Sequence, residues 1–387
     1  MPDLQSYLKL MIESGASDLF LTCGATPRIK VDGNTSPVKA PILQRGEVRD
    51  LVFPIMSERQ KATFDETMEA NLSHSFGMTG RFRINVFQQR GEMGVVIRQV
   101  RSETHSFQEL GLPAACSSLA MLKRGLVLFV GAAGSGKSTS LAAMINYRAA
   151  NADGHILTIE DPIEFLFRHS RALVDQREIS VDTRSFNDAL RNAMREAPDV
   201  IMIGEIRDHE TARHALNYSD TGHLCLSTLH ANSADQAVER LASFFPEAAR
   251  KQVLMELSMN LKAVISQRLL PAVGGGRAAL ATEMLLSSVH VTDLIREGRL
   301  NELKGVMVKG GAGGMHCFDH SLYELHQAGR ITLEEALHNA DSRTDLSLRI
   351  RLSERHTVAE APNLSMVDLE AKARTQAAEA GRFYPGR

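Results

Sequence analysis

The stretch GAAGSGKST, residues 131 to 139, has the phosphate-binding spacing GxxxxGK[ST] and sits between two runs of opposite character. Before it, GLVLFV (125 to 130) is a continuous apolar run of buried-strand type; after it, SLAAMINYRAA (140 to 150) has helical spacing and composition. Strand, glycine-rich turn and helix in that order predict a nucleotide site. Gly131, Gly134 and Gly136 let the loop curl so that successive backbone N–H groups face phosphate oxygens. Lys137 supplies a point charge for the β and γ phosphates of ATP, Ser138 a hydroxyl ligand for Mg²⁺, and the following helix dipole adds positive potential. Ala132, Ala133, Ser135 and Thr139 complete the loop, whose amide cradle needs no particular side chain at 132 or 133.

Downstream, apolar runs near 126 to 130, 155 to 160, 199 to 203 and 223 to 229 alternate with helical patterns near 137 to 149, 184 to 196, 208 to 219 and 233 to 243. That alternation predicts an α/β fold, a parallel sheet covered on both faces. Ligands bind at the carboxyl edge of such sheets, and hydrolysis needs carboxylates there to hold the metal shell and to orient or deprotonate water. Two strands deliver candidates. DVIMIGE (199 to 205) ends in Glu205, with Gly204 where an acidic residue usually precedes it, so Glu205 serves the Mg²⁺ with Ser138, through water. HILTIEDPIEF (155 to 165) runs out into a turn, and Glu164, furthest from the strand, is the expected general base; Glu160 and Asp161 are equally suited to capping or to pairing with arginine. In TGHLCLSTLHANSA (221 to 234), His230 leaves the strand where it can donate to a γ-phosphate, whereas His223, seven residues earlier, faces the other side and suits a structural role.

At the N-terminal end, residues 3 to 14 predict an amphipathic helix with Leu4, Leu8, Met11 and Ile12 on one face and Gly15 as its stop. Strands follow at 16 to 22, 27 to 33, 81 to 87 and 95 to 100. In RFRINVF (81 to 87), Phe82, Ile84 and Val86 alternate with Arg81, Arg83 and Asn85, giving one core face and one basic face. The expected organisation is an α+β N-terminal domain over 1 to 100, a linker over 101 to 115, an ATPase core over 116 to 250, a helical subdomain over 251 to 345 and a loosely ordered or helical tail over 346 to 387. Within the subdomain the patterns predict a long helix over 251 to 270, shorter ones over 289 to 297 and 332 to 339, and a Thr332/Glu335 capping box. The glycine clusters at 274 to 276 and 310 to 314 lack a following Lys-Ser or Lys-Thr and are expected to be flexible loops.

With 44 Lys and Arg against 46 Asp and Glu, net charge −2, the chain carries no general electrostatic footprint for nucleic acid. Its four scattered cysteines form no CxxC pair, as expected for buried thiols in a reducing compartment. The N-terminus lacks signal-peptide character and no run approaches the ~20 apolar residues of a membrane span, so the expectation is a cytoplasmic protein that meets membranes only through partners.

Together GAAGSGKST, ILTIEDPIEF (156 to 165), IMIGEIRD (201 to 208) and TGHLCLSTLH (221 to 230) resemble the Walker A, Asp box, Walker B and His box of the hexameric secretion ATPases, specifically the PilT/PilU family of type IV pilus retraction motors. The resemblance covers most of residues 1 to 345. It implies a PAS-like N-terminal domain joined to a RecA-like P-loop ATPase domain, assembled as a homo-hexameric ring that hydrolyses ATP and drives pilus disassembly through a PilC-like platform protein at the inner membrane. By the same resemblance Glu164 is the catalytic base, Glu205 the Walker B glutamate and His230 the His-box contact, and Arg81, Arg83 and Arg98 are candidates to reach the nucleotide. Ala132-Ala133 in place of Pro-Thr, Phe20 in SDLFL, LHANSA (229 to 234), VTDLIRE (291 to 297) and the longer tail point to the PilU branch, an accessory to a PilT-like motor. Three rivals remain. An assembly ATPase of the PilB or GspE type would carry extra N-terminal domains and often a tetracysteine zinc loop, both lacking here. A non-hydrolysing ring regulator is opposed by Glu164 and Glu205, and a DNA motor by the charge balance and the lack of aromatic-basic interleaving on a core strand.

Overall fold

The computed structural model describes residues 3–31, 33–77, 80–100, 105–310 and 313–359. Its contacts divide the chain into one unit of residues 1–269 and 280–317 and a second of residues 270–279 and 318–387.

The N-terminal part of the first unit is a six-stranded antiparallel sheet: β1 (Asp18–Thr22), β2 (Arg28–Val31), β3 (Asn34–Pro37), β4 (Glu69–Phe76), β5 (Gly80–Gln89) and β6 (Glu92–Val100), in the order β3-β2-β1-β6-β5-β4. The helix Leu4–Ser14 starts where the Asp3 carboxylate accepts from the Ser6 amide at 2.9 Å and stops at Gly15, whose left-handed backbone sends its N–H back to Ile12. Its buried residues are Leu4, Tyr7, Leu8 and Met11, with Ile12 only partly covered. Alternation in β5 falls as its composition requires: Phe82, Ile84 and Val86 are in the core, Arg81 and Arg83 half-buried on the other face and Asn85 exposed. Helices Glu47–Val52 and Glu58–Thr67 and the strands β3 and β4 are additions to the expected elements.

The core sheet has seven strands: β7 (Gly125–Val130), β8 (Gly154–Glu160), β9 (Ala172–Glu178), β10 (Val200–Ile203), β11 (Leu224–Leu229), β12 (Leu261–Leu270) and β13 (Ala279–Leu286), in the order β13-β12-β7-β11-β10-β8-β9. From β12 through β9 the pairings are parallel. β7 shows why: Leu126, Leu128 and Val130 point into one hydrophobic cluster and Val127 and Phe129 into another, so both faces are covered by helices. The four expected strands and four expected helices of the core lie within a residue or two of their predicted places.

Three expectations change. The helix over 251 to 270 is a helix only through Asn260; Leu261–Leu270 is β12, paired with β7 so that Val264 meets Leu128 and Ile265 meets Phe129. Ala263, Val264 and Ile265 are all buried in succession, and such a run is equally a buried helix segment or a two-faced strand until a neighbouring strand claims it. The segment beyond 250 thus adds two strands to the sheet before helices resume at Val289–Glu297. Of the expected linker, residues 101 to 104 lie outside the described residues, while 107–110 form a short helix whose Phe107 packs on Tyr147 at 5.1 Å between ring centroids. Third, Thr332 caps its helix by accepting from the Glu335 amide at 3.1 Å, but the Glu335 carboxylate accepts from Asn339 instead of closing the box. The second unit packs helices Phe318–Gln327, Leu333–His338 and Arg343–Ala359 on one another. The tail from 346 is therefore helical to Ala359; residues 360 to 387, and Gly311 and Ala312 of the second glycine cluster, lie outside the described residues.

Candidate active site

Parallel strands deposit their exits on one edge, and here that edge carries a cavity of about 260 Å³. Its lining joins Ala133, Gly134, Lys137 and Ser138 of the loop with Glu160 at the end of β8, Glu164 beyond it, Glu205 beyond β10 and His230 beyond β11. The loop needs its glycines. Gly131 has φ +148°, and a Cβ there would fall 2.5 Å from the Ser135 hydroxyl and 2.6 Å from the Gln267 carbonyl; Gly134 and Gly136 have φ of +77° and +90°. Helix Lys137–Asn151 begins at Gly136 with no side-chain cap, so its first amides are directed at the pocket without an internal acceptor, the arrangement that receives an anion. The Lys137 ammonium donates to the carbonyls of Gly131 and Ala132, each at 2.8 Å. Burial draws its pKa down, and the facing carboxylates of Glu205 and Glu164 oppose that.

Glu205 and His230 meet because β10 and β11 are neighbours in register, Ile203 opposite Ser227. Hydroxyls secure the exit: Ser227 donates to the Ile203 carbonyl at 2.7 Å and Thr228 to the Gly204 carbonyl at 2.8 Å, and His230 Nε2 lies 3.3 Å from Glu205 Oε1. Gly204 has its own reason. A Cβ at that position would lie 3.3 Å from the Ile159 carbonyl and 3.4 Å from Glu160 Cα, crowding the β8 backbone. His223 lies at the other end of β11, against Thr221 and the Tyr218 carbonyl.

The other wall is the end of β8 and the segment after it. Glu160 is buried, its Oε1 accepting from Thr158 at 2.7 Å and Gln176 at 3.0 Å, and burial pushes its carboxyl pKa up against those hydrogen bonds. Asp161 pairs with Arg207 at 3.6 Å. Glu164 lines both this cavity and an adjoining recess formed with Arg83, Arg98, Thr139 and Phe165. Of the three candidate arginines, Arg81 pairs with the buried Glu178 at 2.7 Å, and Arg98 pairs with Asp18 at 2.8 Å. Burial raises the Asp18 pKa, but the hydrogen bonds from Arg98 and Ser17 outweigh it and hold that carboxyl below its ordinary value. Arg83 donates to the carbonyls of Pro162 and Ile163. Only Arg83 and Arg98 therefore stand beside a loop residue, Thr139. Sequence reasoning missed Gln176 and Arg207. The first sits on β9, whose sequence ALVDQRE has no apolar-polar alternation, and the second stands inside IMIGEIRD, where no local signal pairs Arg207 with Asp161.

Ser138 and Glu205 offer a hydroxyl and a carboxylate oxygen, hard donors of the kind Mg²⁺ accepts while keeping waters and phosphate oxygens as its other ligands. Among the described residues no cluster of three or more His, Cys, Asp or Glu is grouped as a metal cage, and that donor set suits a cation carried in with a phosphate ligand.

A family model described as "Type II/IV secretion system protein" matches residues 2–362. The type IV pilus ATPase PilU of Pseudomonas aeruginosa is 48% identical over 350 residues, covering 90% of this chain and 92% of that protein. The type IV pilus retraction ATPase PilT of the same organism is 40% identical over 338 residues, 87% of this chain and 98% of that one. Among solved structures, the pilus retraction motor PilT with bound ADP superposes with a TM-score of 0.83 at 40% identity, covering 90% of this chain and 100% of that one. The ATPase DotB of Legionella pneumophila follows with 0.75 at 26%, covering 86% and 93%.

Proposed function

The chain belongs to the family of type II/IV secretion system proteins, and from that premise we propose that it is an ATP-hydrolysing motor of type IV pilus retraction and twitching motility, of the accessory PilU type. The observation that carries this is the convergence of Lys137, Ser138, Glu164, Glu205 and His230 on one cavity at the carboxyl edge of the core sheet. In that cavity the loop amides and Lys137 bind the β and γ phosphates, with the ammonium leaving two loop carbonyls to do so. Glu164 takes a proton from the attacking water, whose oxygen bonds to the γ-phosphorus as the bond to ADP breaks, and His230 donates to a γ-phosphate oxygen. Glu205 orients His230. Ser138 and Glu205 would hold Mg²⁺, which when bound would supply charge neutralisation on the phosphates.

Motion follows from repetition of this site. The chain acts as a homo-hexamer at the cytoplasmic face of the inner membrane, working on a PilC-like platform protein and alongside a PilT-like paralogue. Among the described residues no helix is long and apolar enough to cross a membrane, which fits attachment through such partners. Phosphate release by the purified protein tests the chemistry. Glu164→Gln should lower turnover by about 10²- to 10⁴-fold with nucleotide still bound, and Lys137→Ala should abolish binding and turnover together; equal turnover by wild type and Glu164→Gln sinks the assignment of the base. The accessory role is tested in cells lacking both paralogues, where full retraction by this protein alone would contradict it.

A further inference from the structure

The outer face of β5 meets the ATPase core at two places. Arg81 and, from the neighbouring strand β4, Ser73 both donate to the buried Glu178 carboxylate at the end of β9, Arg81 at 2.7 Å. Two residues along the same face, Arg83 reaches the segment that carries Glu164. Its Nε donates to the Ile163 carbonyl at 3.0 Å, and its second nitrogen donates to that same carbonyl and to the Pro162 carbonyl at 3.1 Å.

The Ile163 carbonyl and the Glu164 N–H belong to one planar peptide unit. Arg83 grips its oxygen side, while Glu160 Oε2 lies 3.5 Å from its nitrogen side. Beyond Glu164 a third side chain takes over: Gln176 donates to the Phe165 carbonyl at 2.9 Å and accepts from the Phe167 amide at 2.9 Å. The Glu164 side chain is thus aimed by a peptide plane held from both edges and by a segment anchored just downstream. One of those anchors belongs to a different sheet from the others.

We propose that Arg83 is a positioning residue for Glu164: docking of the N-terminal sheet on its own ATPase core sets the peptide plane that aims the catalytic carboxylate, so that hydrolytic competence depends on that docking. This rests on Glu164 being the base. A planar fork is needed, because one guanidinium bridges two successive carbonyls where an ammonium offers a single compact charge. The competing role for Arg83 is direct contact with nucleotide from the recess that it lines with Arg98 and Thr139.

Hydrogen exchange, nucleotide affinity and turnover separate the two roles, measured on the full chain as wild type, Arg83→Ala, Arg83→Lys and, as a control on the same sheet, Asn85→Ala. In nucleotide-free protein, Arg83→Ala should speed exchange of the amides of 163 to 167, with Arg83→Lys intermediate and Asn85→Ala unchanged. The dissociation constant for fluorescent ADP should stay within about twofold, a small fraction of the tenfold that 1.4 kcal/mol represents. kcat should fall about 10- to 100-fold, the scale of a misplaced catalytic group. Unchanged exchange in both Arg83 variants overturns the proposal, as does a tenfold weaker ADP affinity with exchange unchanged, which would make Arg83 a nucleotide ligand. The exchange measurement needs no turnover. A wild-type protein that fails to hydrolyse ATP would therefore defeat the motor assignment while leaving the grip on the 163–164 peptide decided by exchange, and if Arg83→Ala does not fold, Arg83→Lys carries the same comparison.

Discussion

β7 and β11 bury every one of their residues, whereas β5 alternates buried Phe82, Ile84 and Val86 with half-buried or exposed Arg81, Arg83 and Asn85. A strand covered on both faces has only its ends to offer, so the core sheet presents chemistry where β8, β10 and β11 run out. A strand with one open face can lay side chains against another body, and the N-terminal sheet applies Arg81 and Arg83 to β9 and to the segment after β8. The candidate catalytic groups stand at the edge of one sheet, and Arg83, from the face of the other, joins Glu160 and Gln176 of the core in holding the segment that carries Glu164.

Removing a side chain from each surface measures how far this contrast holds. The largest loss should come from Phe129→Ala in the middle of β7, where a fully buried ring leaves a cavity that two packed faces cannot fill; urea unfolding should show about 3–5 kcal/mol of destabilisation. A loss below about 1 kcal/mol would mean that the core is not close-packed there. Next comes Glu178→Ala, which leaves the mostly buried Arg81 guanidinium without its anion and should cost about 3 kcal/mol. A double-mutant cycle with Arg81→Ala should recover much of that loss as coupling, and additive losses would show that the two sheets are not joined through this pair.

A smaller and pH-dependent effect is expected at Glu160. Its folded pKa is raised by burial above the unfolded value, so the protonated form is the one favoured by folding. The associated stability is present below the ordinary glutamate range and is lost as pH rises through the folded pKa. Glu160→Gln, which keeps a neutral side chain, should therefore gain stability relative to wild type as pH rises, read from melting temperatures across a pH series; parallel curves would refute the shift. The smallest effect belongs to Leu173→Thr on the edge strand β9, where the side chain is 60% exposed and the change should stay within about 0.5 kcal/mol.

Much of the core was legible because its signals are local. The glycines at 131, 134 and 136 are demanded by backbone angles, and the run from Gly125 to Val130 by burial on both faces. Other elements have no local signal of their own. β9 has Leu173 exposed at a sheet edge and Gln176 turned toward the Asp-box segment, so neither period nor composition marks it as a strand. Residues 261 to 270 carry an apolar run that suits a helix as well as a strand, and only pairing with β7 settles the matter. The arginines of β5 were recognised as a basic face, yet what that face touches depends on how a second sheet lies against it.

The phosphate loop, the carboxylates Glu164 and Glu205 that follow their strands, the alternation that makes a parallel core, and the family are all written in short local runs of residues. Packing alone settles that Arg81 and Arg83 are engaged with Glu178 and with the carbonyls of Pro162 and Ile163, and that Glu160 and Gln176 hold the latter segment from the core side. The arginine contacts join residues some 80 to 100 positions apart and depend on how two sheets pack, while those of Glu160 and Gln176 depend on how β8 and β9 pair; no local period or motif responds to either geometry.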